Sequence, residues 1–166
     1  MVRHVEDFPE PGIRFADITP LTGNADALRC AVELLADEFV GRGVDLVAGI
    51  DARGFILGAP VAVRLGCGFV PIRKPQKLPA DAHRVDYGLE YGTDALEIHV
   101  DAAAAGQRVV IIDDVLATGG TALAAIELVE TTGAQVAGLG FLAEIEGLGG
   151  MTRLDGHETA SVLGEV

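Results

Sequence analysis

Two carboxylates followed by a loop of glycines and hydroxyls form the segment of this sequence best suited to chemistry. Asp113 and Asp114 come directly after the apolar run 109–112, and a helical pattern extends from the loop to Glu130. The loop itself consists of Ala117, Thr118, Gly119, Gly120 and Thr121. Backbone N–H groups at a helix start bind phosphate, and glycine lets the phosphate approach the backbone closely. Because carboxylates also accept hydrogen bonds from sugar hydroxyls, the segment predicts a site for a phosphorylated sugar.

A cluster of basic residues gives a second indication of an anionic ligand. Of the twelve basic residues in the chain, four lie in one short window: Arg73, Lys74, Lys77 and Arg84. The chain also has 25 acidic residues and a net charge of −13. Since binding to nucleic acid or to an anionic membrane needs a basic surface, this balance excludes both as general partners. The cluster indicates a small anion, with a solvated basic loop as the alternative.

Several other kinds of site are excluded by their missing motifs. The sequence has no GxxxxGK[ST] loop, no GxGxxG after a predicted strand and no HExxH spacing. A P-loop nucleotidase, a dinucleotide enzyme and a zinc site are therefore not predicted. The two cysteines, Cys30 and Cys67, are far apart in sequence, which is typical of a reduced cytoplasmic protein.

The elements that must position these residues alternate between strands and helices. Asn24 is placed to cap a helix whose apolar positions recur at helical spacing. The predicted strands are 44–50, 68–72, 96–100, 109–112 and 134–145, and further helices are predicted over 55–65 and after Thr121. The alternation predicts one α/β domain over residues 1–166, with a mostly parallel sheet covered on both faces. Ligands bind at the carboxyl ends of such strands, where 51–54 and 113–121 both fall.

Residues 73–92 interrupt this alternation. They are polar, rich in turn residues and weakly patterned, so we predict a long loop. Loops of this length within a compact domain are usually mobile or functional.

Motifs along nearly the whole chain resemble those of the adenine phosphoribosyltransferases, a branch of the type I phosphoribosyltransferases. The acid pair and the loop after it resemble the signature of the wider family, whose shared substrate is 5-phosphoribosyl 1-pyrophosphate. The segments that resemble the adenine enzymes in order and spacing are Phe8-Pro9-x-Pro11-Gly12, Phe15-x-Asp17-Ile18-Thr19-Pro20, Gly49-Ile50-Asp51-Ala52-Arg53-Gly54-Phe55, Ile72-Arg73-Lys74-Pro75-x-Lys77-Leu78-Pro79 and Tyr87-x-Leu89-Glu90-Tyr91-Gly92-Thr93-Asp94-x-Leu96-Glu97-Ile98-His99. Within them, Arg73-Lys74-x-x-Lys77-Leu78-Pro79 and Leu89-Glu90-Tyr91-Gly92 are the motifs more specific to the adenine enzymes.

The resemblance implies a fold and a role for each matching residue. The fold is the type I phosphoribosyltransferase fold, a central and mostly parallel sheet flanked by helices, with a small N-terminal hood and a mobile loop. Residues 117–121 would bind the 5′-phosphate, and Asp113 and Asp114 the ribose hydroxyls. The pyrophosphate ligands would be Ala52, Arg53, Gly54, Arg73, Lys74 and Lys77. Phe15 would stack on the purine, and Glu90 and Tyr91 would lie on the mobile loop over the reacting centre.

The reaction implied by the resemblance is purine salvage, in which adenine and phosphoribosyl pyrophosphate give AMP and pyrophosphate. Mg²⁺ would be the cofactor, held through substrate and water without a direct protein ligand. The resemblance also implies a homodimer in the cytoplasm, with these small molecules and neither nucleic acid nor membrane as partners.

One position departs from the pattern and leaves alternatives open. The residue after the stacking phenylalanine is usually basic in the adenine enzymes, whereas here it is Ala16. Arg14 would lie on the same side of an extended segment and is predicted to compensate. An enzyme for a 6-oxopurine, xanthine or guanine, is therefore one alternative. A regulator that senses the ligand without catalysis is another, disfavoured by the complete loop motif.

Overall fold

A computed structural model of the chain describes residues 1–89 and 92–166. In chain order its strands are β1 (Arg3–Val5), β2 (Phe15–Asp17), β3 (Leu46–Ile50), β4 (Gly68–Ile72), β5 (Ala82–Leu89), β6 (Gly92–His99), β7 (Arg108–Leu116), β8 (Gln135–Glu144) and β9 (Thr159–Ser161). Its helices are α1 (Thr19–Thr22), α2 (Ala25–Asp37), α3 (Arg53–Leu65), α4 (Gly120–Thr131) and α5 (Gly150–Arg153). None of the helices in these described ranges is long and apolar enough to cross a membrane.

The centre of the molecule is a five-stranded parallel sheet in the order β4-β3-β7-β8-β9. Alternate residues of β7 face opposite sides of it, as the pleat of a strand requires. Val109 and Ile111 pack in the cluster that includes Leu128 of α4, whereas Val110 packs with Leu57 of α3. Helices therefore cover both faces, which confirms the predicted fold class.

The helix predicted after Asn24 forms as the sequence indicates. The Asn24 side chain accepts hydrogen bonds from the backbone N–H groups of Asp26 and Ala27, at 3.1 and 3.0 Å. The apolar face of α2 buries Ala31 and Leu35 against the sheet. Capping and amphipathic spacing therefore act on the same segment and fix where this helix begins.

The predicted loop over 73–92 is wrong for part of its length, because Ala82–Leu89 forms β5. This strand pairs antiparallel with β6, with Val85 opposite Leu96. Val85 and Tyr87 pack against the core, and Asp86 between them is exposed. Residues of β5 alternate between inward-facing and exposed positions, but most of them are polar. Composition therefore indicated a loop. Residues 74–81 contain no strand.

Two features position candidate site residues at one end of the sheet. Strand β7 continues past the predicted 109–112 to Leu116, so Asp113 and Asp114 lie within it. At the N-terminus, β1 and β2 form a small antiparallel sheet with Val5 opposite Phe15, which corresponds to the expected hood.

Candidate active site

Two loops meet at the carboxyl end of the parallel sheet. The first follows β3 and contains residues 51–54, and the second follows β7 and contains residues 117–119. The strands are neighbours, with Gly49 opposite Ile112. A Cβ atom on Gly54 would lie 2.6 Å from the Ile112 carbonyl oxygen and 3.3 Å from the Asp113 Cα. Only glycine fits this contact, so the two predicted ligand loops touch through their backbones.

The predicted phosphate loop has the expected strand–loop–helix form. Helix α4 begins at Gly120, and its N-cap, Gly119, has a φ of +81°. This left-handed conformation strains any residue with a Cβ atom. At Gly120 a Cβ would meet other atoms only at ordinary distances of 3.5 Å or more. Glycine at 119 is therefore required by the backbone itself, which presents the N–H groups at the start of α4 to a ligand.

The acid pair lies beside this loop with its two carboxylates in different surroundings. Asp113 is half-buried, and its Oδ1 accepts a hydrogen bond from the Asp114 N–H at 2.9 Å. Asp114 is buried and forms an ion pair with Arg53, whose Nη1 lies 2.9 Å from Asp114 Oδ2. Burial, and then the Asp114 charge, raise the pKa of Asp113 well above its usual value. Burial also raises the pKa of Asp114, although the Arg53 charge opposes it.

Arg53 also reaches the aromatic residue predicted to hold a base. Its guanidinium carbon lies 4.9 Å from the centre of the Phe15 ring, and Phe8 packs edge-on to the same ring at 5.1 Å. Arg53 Nη1 also lies 3.4 Å from the Ala16 carbonyl oxygen, to which it donates. One side chain thus connects the N-terminal hood to the acid pair.

The compensation predicted for Arg14 does not occur. Arg14 is more than half exposed, with its Nε 3.4 Å from Glu6 Oε1, whereas Ala16 is buried. The two residues therefore do not share a surface. Among the described residues, Arg53 is the cation that contacts the Phe15 ring. Its position depends on packing between β2 and α3, which sequence spacing does not reveal.

The predicted pyrophosphate ligands lie beside the first loop. Arg73 Nε is 3.1 Å from Asp51 Oδ2, and its Nη1 donates to the Lys77 carbonyl oxygen at 3.1 Å. Lys74 follows on the same segment with its side chain partly exposed. The Lys77 side chain is exposed, so the structure brings this residue to the cluster through its backbone only.

A hydrogen-bond network connects this cluster to the phosphate loop. Lys74 donates to Asp94 and, at 3.2 Å, to the Tyr87 hydroxyl. Tyr87 donates to Asp94 at 3.1 Å and accepts from the Thr121 hydroxyl at 3.4 Å. Burial opposes protonation of Lys74, but the hydrogen bonds to Asp94 and Tyr87, together with the charges of those groups, outweigh burial and raise the pKa of Lys74. Asp94 and Tyr87 lie in a segment that resembles the adenine enzymes, but neither was predicted to have a role.

The remaining predicted residues are distributed as follows. Ala52 lies in the first loop and Gly54 in the first turn of α3. Ala117 and Thr118 lie in the second loop, and Thr121 in the first turn of α4. Glu90 and Tyr91, predicted to act over the reacting centre, lie outside the described residues.

Both the sequence and the structure of this chain are similar to those of known phosphoribosyl transferases. Residues 24–153 match the family model of the phosphoribosyl transferase domain. The adenine phosphoribosyltransferase of Thermoanaerobacter sp. (strain X514) is 53% identical over 163 residues, which cover 98% of this chain and 94% of the relative. The crystal structure of the enzyme from Thermoanaerobacter pseudethanolicus has a TM-score of 0.96 and 52% identity, covering 100% of this chain and 96% of that one.

A more distant neighbour is described with ligands. The Saccharomyces cerevisiae adenine phosphoribosyltransferase, in complex with adenine and an imino-altritol bisphosphate, has a TM-score of 0.90 and 36% identity. The match covers 97% of this chain and 93% of the yeast chain.

Proposed function

The chain belongs to the adenine phosphoribosyltransferase family, and from this we propose that it converts adenine and 5-phosphoribosyl 1-pyrophosphate to AMP and pyrophosphate. The observation that carries the proposal is the position of Arg53, which contacts the Phe15 ring and pairs with Asp114. A base stacked on Phe15 would therefore lie next to a sugar held by the acid pair. The two substrates would meet where the β3 and β7 loops touch.

The proposed reaction breaks the bond between C1′ and the pyrophosphate oxygen as the purine nitrogen attacks C1′ from the opposite face. The bonding pair leaves with pyrophosphate, and the purine loses the proton of the attacking nitrogen. Positive charge develops on the ribose, next to Asp113 and Asp114. Negative charge develops on pyrophosphate, next to Arg73 and Lys74. Fixed charges of this kind stabilise a transition state more than the ground state.

Mg²⁺ is the proposed cofactor. Mg²⁺ prefers oxygen ligands, keeps several waters and commonly binds substrate phosphates. Asp51, directly after β3, and the half-buried Asp113, near the end of β7, place carboxylate oxygens at the carboxyl end of the sheet. The donor set therefore fits an ion held through substrate oxygens and water, which when bound would neutralise charge on the leaving group.

We propose that the segment 73–92 closes over the bound substrates and carries Glu90 to the purine and Tyr91 to the edge of the site. Water must be excluded because it competes with the purine for C1′. Replacement of Glu90 by Gln keeps its size and removes its charge. We expect turnover to fall about 10²-fold, the scale of lost acid–base help, with little change in affinity for phosphoribosyl pyrophosphate.

Hydrogen exchange across 73–92 tests closure separately from chemistry. We expect slower exchange when phosphoribosyl pyrophosphate and a base are both present. Full activity of Glu90→Gln, together with exchange that ignores the substrates, would contradict the proposed lid.

The main experiment measures product formation by the purified protein with Mg²⁺, phosphoribosyl pyrophosphate and one base at a time. Adenine, hypoxanthine, guanine and xanthine are compared by kcat/KM. We expect adenine to be strongly preferred, because polar groups placed for a 6-amino group stay unpaired against a 6-oxo group. Equal efficiency with a 6-oxopurine would favour the alternative that Ala16 left open, and no product with any base would favour a ligand sensor.

We also propose an oligomeric state and a cellular location for the protein. We propose a homodimer in the cytoplasm. Helix α3 exposes Ile56 and Val63, the latter 82% accessible, as a surface that a second copy could cover. Light scattering at micromolar concentration would measure the mass. Both cysteines are free, as in a reduced compartment.

A further inference from the structure

Arg153, the last residue of α5, contacts the phosphate loop although it lies more than thirty residues beyond it in the chain. Its Nη1 donates to the Thr118 carbonyl oxygen at 3.3 Å. No sequence motif includes this residue, and the mechanism proposed above does not use it.

The guanidinium of Arg153 lies on the side of the loop where Thr118 presents its hydroxyl. A Cβ atom on Gly120 would lie 3.7 Å from Arg153 Nη1 and 3.8 Å from Thr118 Oγ1. At Gly119 the corresponding Cβ would lie 3.4 Å from the Cβ of Arg153. The aliphatic stem of the arginine therefore covers one glycine, and its charged end is beside the next.

Packing holds α5 in this place. A Cβ on Gly150 would lie 2.3 Å from the Ala117 carbonyl oxygen, so the helix starts in direct contact with the loop. The N–H of Met151 donates to Glu144 Oε1 at 3.1 Å, and Leu154 is buried in the core. The position of Arg153 is thus set by buried contacts on both sides of it in the chain.

The charge balance of the site indicates what this cation does. A phosphate monoester carries between one and two negative charges near neutral pH. Backbone N–H groups and threonine hydroxyls supply dipoles but no net charge, and the adjacent Asp113 and Asp114 are acidic. Arg73 pairs with Asp51 beside the other loop, and Lys74, which reaches Thr121 through the Tyr87 hydroxyl, is paired with Asp94. An anion at residues 118–121 would therefore have Arg153 as a neighbouring cation.

We infer that Arg153 is a further substrate-binding residue, which supplies the positive charge for the 5′-phosphate of the phosphoribosyl group. The inference rests on the proposed function. It assigns Arg153 to one end of the substrate only and predicts no contribution at the pyrophosphate end.

The test compares Arg153→Gln, Arg153→Lys and a matched control, Arg64→Gln. Arg64 lies on α3 and pairs with Asp37 at 3.3 Å, so its replacement causes the same charge change away from the site. Binding of ribose 5-phosphate and of pyrophosphate is measured by calorimetry, and KM and kcat with phosphoribosyl pyrophosphate by steady-state kinetics.

We expect Arg153→Gln to weaken ribose 5-phosphate about tenfold, the scale of one charge-assisted hydrogen bond, and to leave pyrophosphate affinity unchanged. KM for phosphoribosyl pyrophosphate should rise with kcat nearly constant. Arg153→Lys should restore most of the affinity, and Arg64→Gln should match the wild type. A purely structural role would instead lower the melting temperature and affect both ligands.

Equal or absent effects of Arg153→Gln on the two ligands would overturn the inference, as would failure of Lys to restore binding. If the wild type formed no AMP, the proposed function would fail, while calorimetry with ribose 5-phosphate would still decide the role of Arg153.

Discussion

The two halves of the proposed substrate site are built in different ways. The ribose 5-phosphate half comes from one continuous stretch, 113–121, in which a strand ends, a loop turns and a helix begins. The pyrophosphate half is assembled from separate stretches, 51–54 and 73–77, with Asp94 of β6 as a third contributor. The first half is shaped by backbone conformation, with Gly119 at φ +81°. The second is held by side-chain pairs such as Arg73 with Asp51.

This difference has consequences for how each half responds to substitution. A change in the continuous half alters backbone geometry or the central charge, so its effect should be large and local. A change in the assembled half removes one of several charged contacts, and partly exposed pairs of this kind contribute little each. We therefore expect larger effects from substitutions in the continuous half than in the assembled half.

Replacement of Asp113 by Asn should have the largest effect. It removes a charge that we propose faces the ribose hydroxyls and the developing positive charge, and loss of one such interaction typically costs about 10²-fold in rate. Steady-state kcat/KM for phosphoribosyl pyrophosphate measures it, with Asp26→Asn as the control on α2, whose carboxylate is exposed and pairs with Arg29. Near-normal turnover of the Asn variant would refute the sugar-binding role.

The raised pKa of Asp113 gives this prediction a pH dependence of known sign. The folded protein binds a proton on Asp113 more tightly than the unfolded chain does, so protonated Asp113 stabilises the fold at low pH. This stabilisation is lost as the pH rises through the raised pKa. The carboxylate needed for catalysis forms over the same range. Wild-type kcat/KM should therefore rise with pH where stability declines, and both trends should weaken in Asp113→Asn.

Replacement of Gly119 by Ala should have the next largest effect, and Gly120→Ala provides a contrast within one loop. Alanine at a left-handed position costs about 1–2 kcal/mol, whereas Gly120 starts a helix where alanine is favoured. Thermal melts should show destabilisation for Gly119→Ala only. Equal melting temperatures would show that backbone conformation does not control this half of the site.

Replacement of Tyr87 by Phe should have the smallest effect. The hydroxyl bonds Lys74, Asp94 and Thr121, but the direct pair of Lys74 with Asp94 remains without it. A net hydrogen bond contributes about 1 kcal/mol, so we expect KM for phosphoribosyl pyrophosphate to change a few-fold. A double-mutant cycle with Asp94→Asn isolates the coupling. Additive effects in that cycle would contradict the network.

The continuous half of the site could be predicted from sequence because its determinants, apart from the inferred Arg153, are neighbours in the chain. The apolar run, the acid pair and the glycine loop predict a strand, a loop and a helix start without reference to other segments, although β7 extends to Leu116 and does not end at the predicted residue 112. In the same way, Asn24 as a cap predicted the start of α2, and the alternation of strands and helices along the chain predicted the fold class.

The assembled half could be predicted only as a list of candidate residues. Arg73 and Lys74 were identified as cations, but their pairing with Asp51 and Asp94 depends on contacts between distant segments. Strand β5 was missed because its alternating residues are mostly polar, and pairing with β6 decides its conformation. Arg153 carries no local signal, since packing of α5 alone brings it to the loop.

If the base stacks on Phe15 as proposed, the position of Arg53 between Phe15 and Asp114 links base binding to proton binding at one site. A base that draws the guanidinium toward the ring weakens its hold on Asp114 and so favours protonation of that buried carboxylate. Linkage is reciprocal, so protonation of Asp114 must change the affinity for the base by the same factor. Adenine affinity measured across pH would then report on an acid that the base never touches.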